Sequence, residues 1–278
     1  MTPPRDIRRP PNRRPMQLPI LAFAFAVLTA WLPPSPASET FTEPYSARYA
    51  LYRNGKLQAR AEFLLQQQGE TWIMKSESIG THGMARLVKF RDYEFTEGQF
   101  EGGQFRPLRY VHELKWLGPD QDSTAEFDWE NGLVTVTHNG ETRTLELVEG
   151  AVDPMSLQVQ MRRELARPEP RLEFMLVEED KLELQRFRAL RPERLETSLG
   201  CLHTQPVEKI REGTTRFTRF WPASELDYIP VRMEHGKTDG DQMELRITEL
   251  VINGEPVEPK PGCAAAQGGN KRERSAQQ

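Results

Sequence analysis

Few of the side chains that commonly carry catalysis or bind metals stand in recognisable patterns in this sequence. The five histidines never occur as His-x-His or His-x-x-x-His, the spacings that place two imidazoles on one metal. No serine lies in a Gly-x-Ser-x-Gly elbow, and no Gly-rich loop leads to Lys-Ser or Lys-Thr. We therefore predict no metal site, no cofactor and no catalytic residue. Whether the protein is an enzyme stays open, with a non-enzymatic role favoured.

The sequence also lacks the concentrated positive charge that nucleic-acid binding requires. Its 278 residues contain 37 Lys and Arg against 41 Asp and Glu, a formal net charge of −4. Affinity for nucleic acid comes largely from basic groups that neutralise phosphates. The one Arg-rich stretch, Arg5–Arg14, precedes an apolar run and is better explained by that position. We expect no nucleic-acid partner.

Only one long apolar run is present, from Leu18 to Leu32. Its length of about 15 residues is below the ~20 that a membrane-crossing helix needs. The Arg-rich stretch before it and the small residues of Pro33–Ser38 after it are typical of a secretory signal. We predict a signal peptide over residues 1–38, a periplasmic location, and no transmembrane segment once the signal is removed. Retention of the run as an uncleaved anchor is the alternative.

The chain has only two cysteines, Cys201 and Cys263. Outside the cytoplasm these residues could form a disulfide. However, Cys263 follows Pro259, where the composition turns polar and offers nothing to bury, so we predict a disordered tail over residues 259–278. Whether the two cysteines pair is left open.

What the sequence does contain is a succession of short alternating segments separated by Gly-containing turns. Tyr45–Tyr52 alternates, with Tyr45, Ala47, Tyr49 and Leu51 on one face. Asn54-Gly55 follows, and the same dipeptide recurs at residues 131–132, 139–140 and 253–254. Asn-Gly favours tight type I′ hairpin turns. The pattern predicts an antiparallel β domain over residues 39–258.

One helix interrupts the strands. Asp153-Pro154 supplies a capping side chain and a first-turn proline, and Leu157, Met161 and Leu165 follow at helical spacing. Pro168 ends the pattern. We predict a strongly curved antiparallel sheet, or a partly open β-barrel, with this helix packed across it. The alternative is two smaller β modules joined near residues 153–168.

These segments resemble a bacterial family known as domain of unknown function 3108. The resemblance rests on Tyr45-Ser46-Ala47-Arg48-Tyr49, on Asp153-Pro154-Met155-Ser156 at the helix start, and on Phe220-Trp221-Pro222 followed by Tyr228-Ile229-Pro230-Val231-Arg232. The resemblance implies an exported β protein. It implies no reaction, since the family has no established one, and Cys201 departs from the residue expected after Gly200.

Aromatic and basic residues concentrate on two late strands, and we take them as the candidate ligand site. They are Arg216, Phe217, Arg219, Trp221, Tyr228 and Arg232. A curved sheet with an apolar lining and basic groups at its mouth could hold an amphiphile, its anionic head on arginine. The simpler alternative is that the aromatics fill the core and the arginines extend to solvent.

Three functions follow from this picture. The first is binding or carrying a lipid-like or other envelope molecule, which we favour. The second is a scaffold or assembly partner in an envelope complex, which would need an exposed apolar patch or a free edge strand. The third is a hydrolase acting on an envelope polymer, a function that no local motif supports.

Overall fold

The computed structural model describes residues 43–101 and 104–264, and most of them lie in β-strands. The strands are β1 (Tyr45–Arg53), β2 (Lys56–Gln68), β3 (Thr71–Gly80), β4 (Arg91–Glu101), β5 (Gln104–Lys115), β6 (Gln121–Asp128), β7 (Leu133–His138), β8 (Glu141–Glu146), β9 (Glu173–Glu178), β10 (Lys181–Ala189), β11 (Glu193–Thr197), β12 (Gly200–Thr204), β13 (Val207–Lys209), β14 (Arg216–Ala223), β15 (Ile229–Lys237), β16 (Gln242–Ile252) and β17 (Glu255–Pro256). The helices are α1 (Gly83–Leu87) and α2 (Pro154–Leu165), with a 3-10 turn at Ser224–Leu226. The expected signal peptide, residues 1–38, lies outside the described residues, as do residues 265–278 of the expected tail.

A continuous antiparallel ladder connects most of these strands. From β1 to β8 each strand pairs with the next along the chain. On its other side β1 pairs with β16, and the ladder continues through β15, β14, β13, β10 and β9. Among the described residues no ladder joins β8 to β9, so the sheet is not closed. The predicted mainly β, barrel-like fold with a packed helix is confirmed, and its strands form one sheet, not two modules.

The gap between the two edge strands is bridged by other contacts. Arg143 on β8 lies 2.7 Å from the carboxylate of Asp180, in the turn between β9 and β10. Val152, just before α2, forms a parallel bridge to Leu176 on β9. The segment that leads into α2 therefore covers part of the free β9 edge, as natural sheets commonly require.

Most of the Asn-Gly turns behave as their sequence predicts. Asn54-Gly55, Asn139-Gly140 and Asn253-Gly254 have positive φ at both residues, as type I′ hairpins require. The fourth pair differs: Gly132 has positive φ, whereas Asn131 donates from its backbone and its side chain to Asp128. The β6–β7 connection is therefore a longer turn stabilised by a side chain.

The alternating apolar residues of the strands form the main core. Tyr49 and Phe63 meet edge to face with ring centroids 5.2 Å apart, and Leu65 and Met74 are fully buried beside them. A second cluster lies under α2, where Leu157, Met161 and Leu165 pack with apolar residues of β9, β10 and β13. This second cluster positions the pocket described below.

The N-terminus of α2 is fixed by a capping box. Asp153 accepts hydrogen bonds from the backbone of Met155 at 2.8 Å and of Ser156 at 2.9 Å, while the Ser156 hydroxyl accepts from the backbone of Asp153. The same carboxylate accepts from Thr96 of β4 at 2.8 Å. A single buried side chain thus caps the helix and attaches it to the sheet. Neither helix in the described part has the length and apolar character to cross a bilayer.

The segment after Pro259 differs from its prediction. Residues 259–264 run along β12: Lys260 donates its backbone N–H to Leu199, and Cys201 donates to Pro261. Cys201 and Cys263 form a disulfide. The sequence suggested disorder because this segment has nothing apolar to bury, but backbone pairing and the covalent bond hold it in place.

Candidate functional site

A cavity of about 250 Å³ lies between α2 and the sheet, and we call it the helix pocket. Much of its lining is apolar. The apolar part includes Leu157, Met161 and Leu165 of α2, Leu176 of β9, Phe187 of β10 and Phe220 of β14. Phe187 also contacts Phe174 and Phe220, with ring centroids 6.0 and 6.3 Å away. These residues meet because α2 turns its apolar stripe toward alternating positions of the strands.

Basic side chains line the same pocket. Lys209 and Arg211 stand two residues apart at the end of β13, and His235 on β15 faces them. Within the described chain neither Lys209 nor Arg211 forms an ion pair, and the Nη1 atom of Arg211 is buried without a hydrogen-bond partner. Glu178, which also lines the pocket, is the one carboxylate that acts on both. The pocket thus carries more positive than negative charge.

Burial lowers the pKa values of Lys209, Arg211 and His235. Loss of solvent and the neighbouring Arg211 lower the pKa of Lys209. Loss of solvent also lowers the pKa of Arg211, helped by Arg216 and opposed by Glu178. The pKa of His235 is lowered by burial first and then by Arg211, Arg216 and Lys209. Each shift disfavours positive charge, so an anion in this position would relieve all of them.

The buried side chain of Arg162 on α2 adds a further positive charge to the pocket lining. Its side chain is 2% exposed, and it stacks over the Tyr45 ring at 4.7 Å. Two of its nitrogens donate to Asp227, to the backbone carbonyl at 2.9 Å and to the carboxylate at 2.6 Å. Its third, Nη1, is buried without a partner, and Arg162 lines the pocket. A buried N–H of a charged group without an acceptor is costly, which suits a site that takes an acceptor from a ligand.

Arg162 also holds the turn that carries Tyr228. Asp227 and Tyr228 both have left-handed backbone conformations, with φ of 50° and 54°. Such conformations are uncommon for residues other than Gly, Asn and Asp, and surrounding contacts must maintain them. The bidentate contact from Arg162 to Asp227 supplies such a constraint. Tyr228 is thereby placed in the pocket lining.

The structure distributes the six predicted site residues between different surroundings. Tyr228 lines the helix pocket. On β14, however, Phe217, Arg219 and Trp221 occupy one face, and Phe220 of the opposite face reaches the pocket. Arg216 is exposed and acts on His235 through its charge. Strand β14 therefore borders the pocket, but with the face opposite to Phe217, Arg219 and Trp221.

The remaining predicted arginines are held by carboxylates. Arg219 pairs with Glu208 and stacks over Phe217 at 5.2 Å. Arg232 lies over Trp221 at 4.8 Å and contacts Glu244 at 2.7 Å. The indole N–H of Trp221 donates to Glu193 at 2.6 Å. These groups already have partners, so they are poorly suited to bind an anion.

The residues that sequence reasoning missed are Arg162, Lys209 and Arg211. One signal was present, since Arg162 directly follows Met161 in a helix whose apolar stripe was recognised. For Lys209 and Arg211 the alternation only placed both on one face of a short strand. That this face turns toward α2 is a tertiary fact that the local pattern does not contain.

A second group of ionisable residues lies on the neighbouring strands β4 and β5. We call Asp92, Glu94 and His112 the β4–β5 triad, because one ligand-type atom from each lies within 4.8 Å of the others. His112 contacts Asp92 at 2.8 Å, and Tyr110 donates to Glu94 at 2.9 Å. Burial raises the pKa of Glu94 to about 7, with His112 opposing the shift. Glu94 and His112 are direct cross-strand partners, a proximity that histidine spacing could not indicate.

Fold and site together define a class: a barrel-like, open antiparallel β protein with a helix-covered, basic pocket. The chain belongs to the family described as "Protein of unknown function (DUF3108)", whose profile matches residues 45–246. The resemblance read from the sequence is confirmed. A comparison with curated proteins gives no match.

Solved structures that are similar to the chain include the following two. One is a β-barrel-like protein of domain of unknown function DUF1849 from Brucella abortus. It has a TM-score of 0.53 and 13% identity, over 76% of this chain and 98% of the other. The other is described as a "putative lipoprotein" from Parabacteroides distasonis, with a TM-score of 0.32 and 11% identity, over 76% and 96% of the two chains. The Brucella likeness supports the barrel-like fold.

Proposed function

We propose that the protein binds one small amphiphile in the helix pocket, with an apolar chain against α2 and an anionic head on the basic residues. The observation that carries this proposal is the partnerless Nη1 atoms of Arg162 and Arg211 beside an apolar cavity. Apolar lining with a few convergent polar groups is typical of small-molecule sites. This places the amphiphile at residues different from most of those that the sequence suggested.

The basic residues favour an anionic head over an uncharged one. Lys209 and Arg211 form no ion pair within the described residues, whereas Arg219 and Arg232 each contact a carboxylate. A hydrogen bond to a charged group contributes about 1.5–3 kcal/mol. One such bond to the ligand head therefore corresponds to roughly a ten- to hundredfold gain in affinity.

The size of the cavity limits the ligand. Its volume of about 250 Å³ is below the ~300–1,000 Å³ that ordinary ligand pockets occupy. We infer a ligand with a single short apolar chain and a small anionic head. Burial of each CH₂ group contributes about 0.8 kcal/mol before the costs of association.

We further propose that the protein works outside the cytoplasm, in the cell envelope. Two observations support this. The front of the sequence has the composition of a secretory signal. Cys201 and Cys263 are bonded to each other, and structural disulfides persist mainly in oxidising compartments.

Calorimetric titration with two octyl amphiphiles tests the pocket. Octyl sulfate carries one negative charge at any working pH, and octyl glucoside has the same tail with an uncharged head. We expect saturable one-to-one binding of octyl sulfate, at least about tenfold tighter than octyl glucoside. Lys209→Met with Arg211→Met should remove most of this difference.

Matched controls separate the pocket from general surface charge. Lys75→Met with Arg191→Met removes two exposed cations outside the pocket lining and should leave octyl sulfate binding unchanged. Leu157→Trp should weaken both amphiphiles, because the indole would fill the cavity. Equal affinity for the two amphiphiles, or equal effects of the two double variants, would contradict the proposal.

A further inference from the structure

We propose that the β4–β5 triad of Asp92, Glu94 and His112 binds one divalent transition-metal ion such as Zn²⁺. The proposal is independent of the helix pocket: it concerns other strands and another ligand.

The geometry provides the first argument. In a tetrahedral zinc site with bonds of about 2.1 Å, ligand atoms lie roughly 3.4 Å apart. One atom each from Asp92, Glu94 and His112 already lies within 4.8 Å of the others. Small side-chain rotations would therefore bring all three onto a single ion. Two side chains come from alternate positions of β4 and the third from its antiparallel partner β5, so the sheet itself fixes the arrangement.

The donor set indicates the kind of ion. An imidazole with two carboxylates suits zinc and related first-row metals, whereas calcium and magnesium favour sites made only of oxygen. Three protein ligands leave one position of a tetrahedral ion for water or another ligand.

Charge provides the second argument. Elsewhere in the described chain, the partly buried carboxylates of Glu208, Glu234 and Glu244 are each paired with arginine. Asp92 and Glu94 have no Lys or Arg partner among the described residues, and His112 is the single basic group in contact with either. Two close carboxylates in a partly buried wall repel one another unless a proton or a cation intervenes.

The surroundings add to this negative potential. The carboxylate of Asp153 acts on Glu94 through its charge. The carboxylate of Glu178 acts in the same way on His112. A divalent cation would neutralise the excess charge that the arginines neutralise elsewhere.

Titration of the full chain with Co²⁺ tests the site, because Co²⁺ bound by nitrogen and oxygen ligands absorbs in the visible region. We expect one equivalent to bind and Zn²⁺ to displace it. Glu94→Gln keeps the shape of the side chain and its ability to accept from Tyr110, but should weaken metal binding at least about tenfold. His112→Gln should do the same, by removing the nitrogen ligand.

His138→Gln is the matched control. His138 also lies on a strand and contacts Ser123 at 2.6 Å, but it is not part of the triad. This variant should bind Co²⁺ like the parent chain. Circular dichroism verifies that each variant is folded, and Glu94→Gln alone decides the matter if His112→Gln does not fold. Absence of one-to-one binding, or binding that Glu94→Gln leaves unchanged, would overturn the proposal.

Discussion

Removing the disulfide between Cys201 and Cys263 should destabilise the protein substantially. The bond closes a loop with a sequence separation of 62. In the chain-entropy model a loop of this length stabilises the folded state by about 4 kcal/mol at 25 °C. For a domain of this size, 1 kcal/mol corresponds to roughly 2–4 °C in Tm, so the expected loss is about 8–16 °C.

The structure indicates which part would loosen first. The bond holds residues 259–264 along β12, where Lys260 and Cys201 supply the backbone hydrogen bonds. Cys263 also donates its backbone N–H to Glu196 at 2.6 Å. Without the covalent bond, these few solvent-exposed contacts should not suffice to order the segment.

Urea unfolding followed by tryptophan fluorescence provides the assay. The parent chain, the same chain with reductant, and the double variant Cys201→Ala with Cys263→Ala should be compared. Non-reducing peptide mapping should first recover the two cysteines in one linked peptide. A stability loss below about 1 kcal/mol in both perturbed samples would refute the loop-entropy reasoning.

Three further outcomes are expected. Asp153→Ala should cost about 2 kcal/mol in urea unfolding, from the lost helix cap and the lost hydrogen bond from Thr96, and a cost no larger than that of Asp153→Asn would contradict this. Octyl sulfate should bind more tightly as the pH falls from about 8 to about 6, because a bound anion raises the lowered pKa of His235 and binding then takes up a proton; calorimetry at constant salt should show this, and His235→Gln should abolish it. Burial raises the pKa of Glu208, but Arg219 and Arg188 outweigh burial and leave the pKa below its usual value. This carboxylate therefore stabilises the fold at pH values above the unfolded-state pKa, and the contribution is lost as the pH falls through the folded-state pKa. Arg219→Met should reduce the acid dependence of stability in the same range, and an unchanged profile would count against the assignment.

The strands and α2 could be predicted because their signals are local. Alternation, Asn-Gly turns and the Asp153-Pro154 cap each act over a few residues, and the first strand, three of the four turns and the helix lie where these signals place them. The hairpin β11–β12 gives no such signal. Its residues Glu193–Thr197 are mostly polar and exposed, so they show no apolar face for the pattern to detect.

The binding site was less predictable, because it depends on which face of a strand meets the helix. The period-two pattern of β14 separates Phe217 and Trp221 from Phe220, but both faces carry aromatics. Trp221 is buried and donates to Glu193 of β11, a strand that the sequence pattern does not indicate. Because this contact is not visible in the sequence, the predicted site combined Arg216 of one face with Phe217, Arg219 and Trp221 of the other.

The β4–β5 triad shows the same limit. In the sequence, Asp92 and Glu94 are polar residues of an alternating segment, and His112 is an isolated histidine. Their meeting depends on the register between β4 and β5, which places Glu94 opposite His112. A shift of one residue would put them on opposite faces of the sheet.

The most direct test of the central claim is native mass spectrometry of the protein recovered from its native cells. The parent chain should carry a small amphiphile at one copy per protein. The Lys209→Met, Arg211→Met variant should lose most of it, while the Lys75→Met, Arg191→Met variant keeps it. A parent chain that is free of any such molecule, or an adduct that the pocket variant retains in full, would contradict the account.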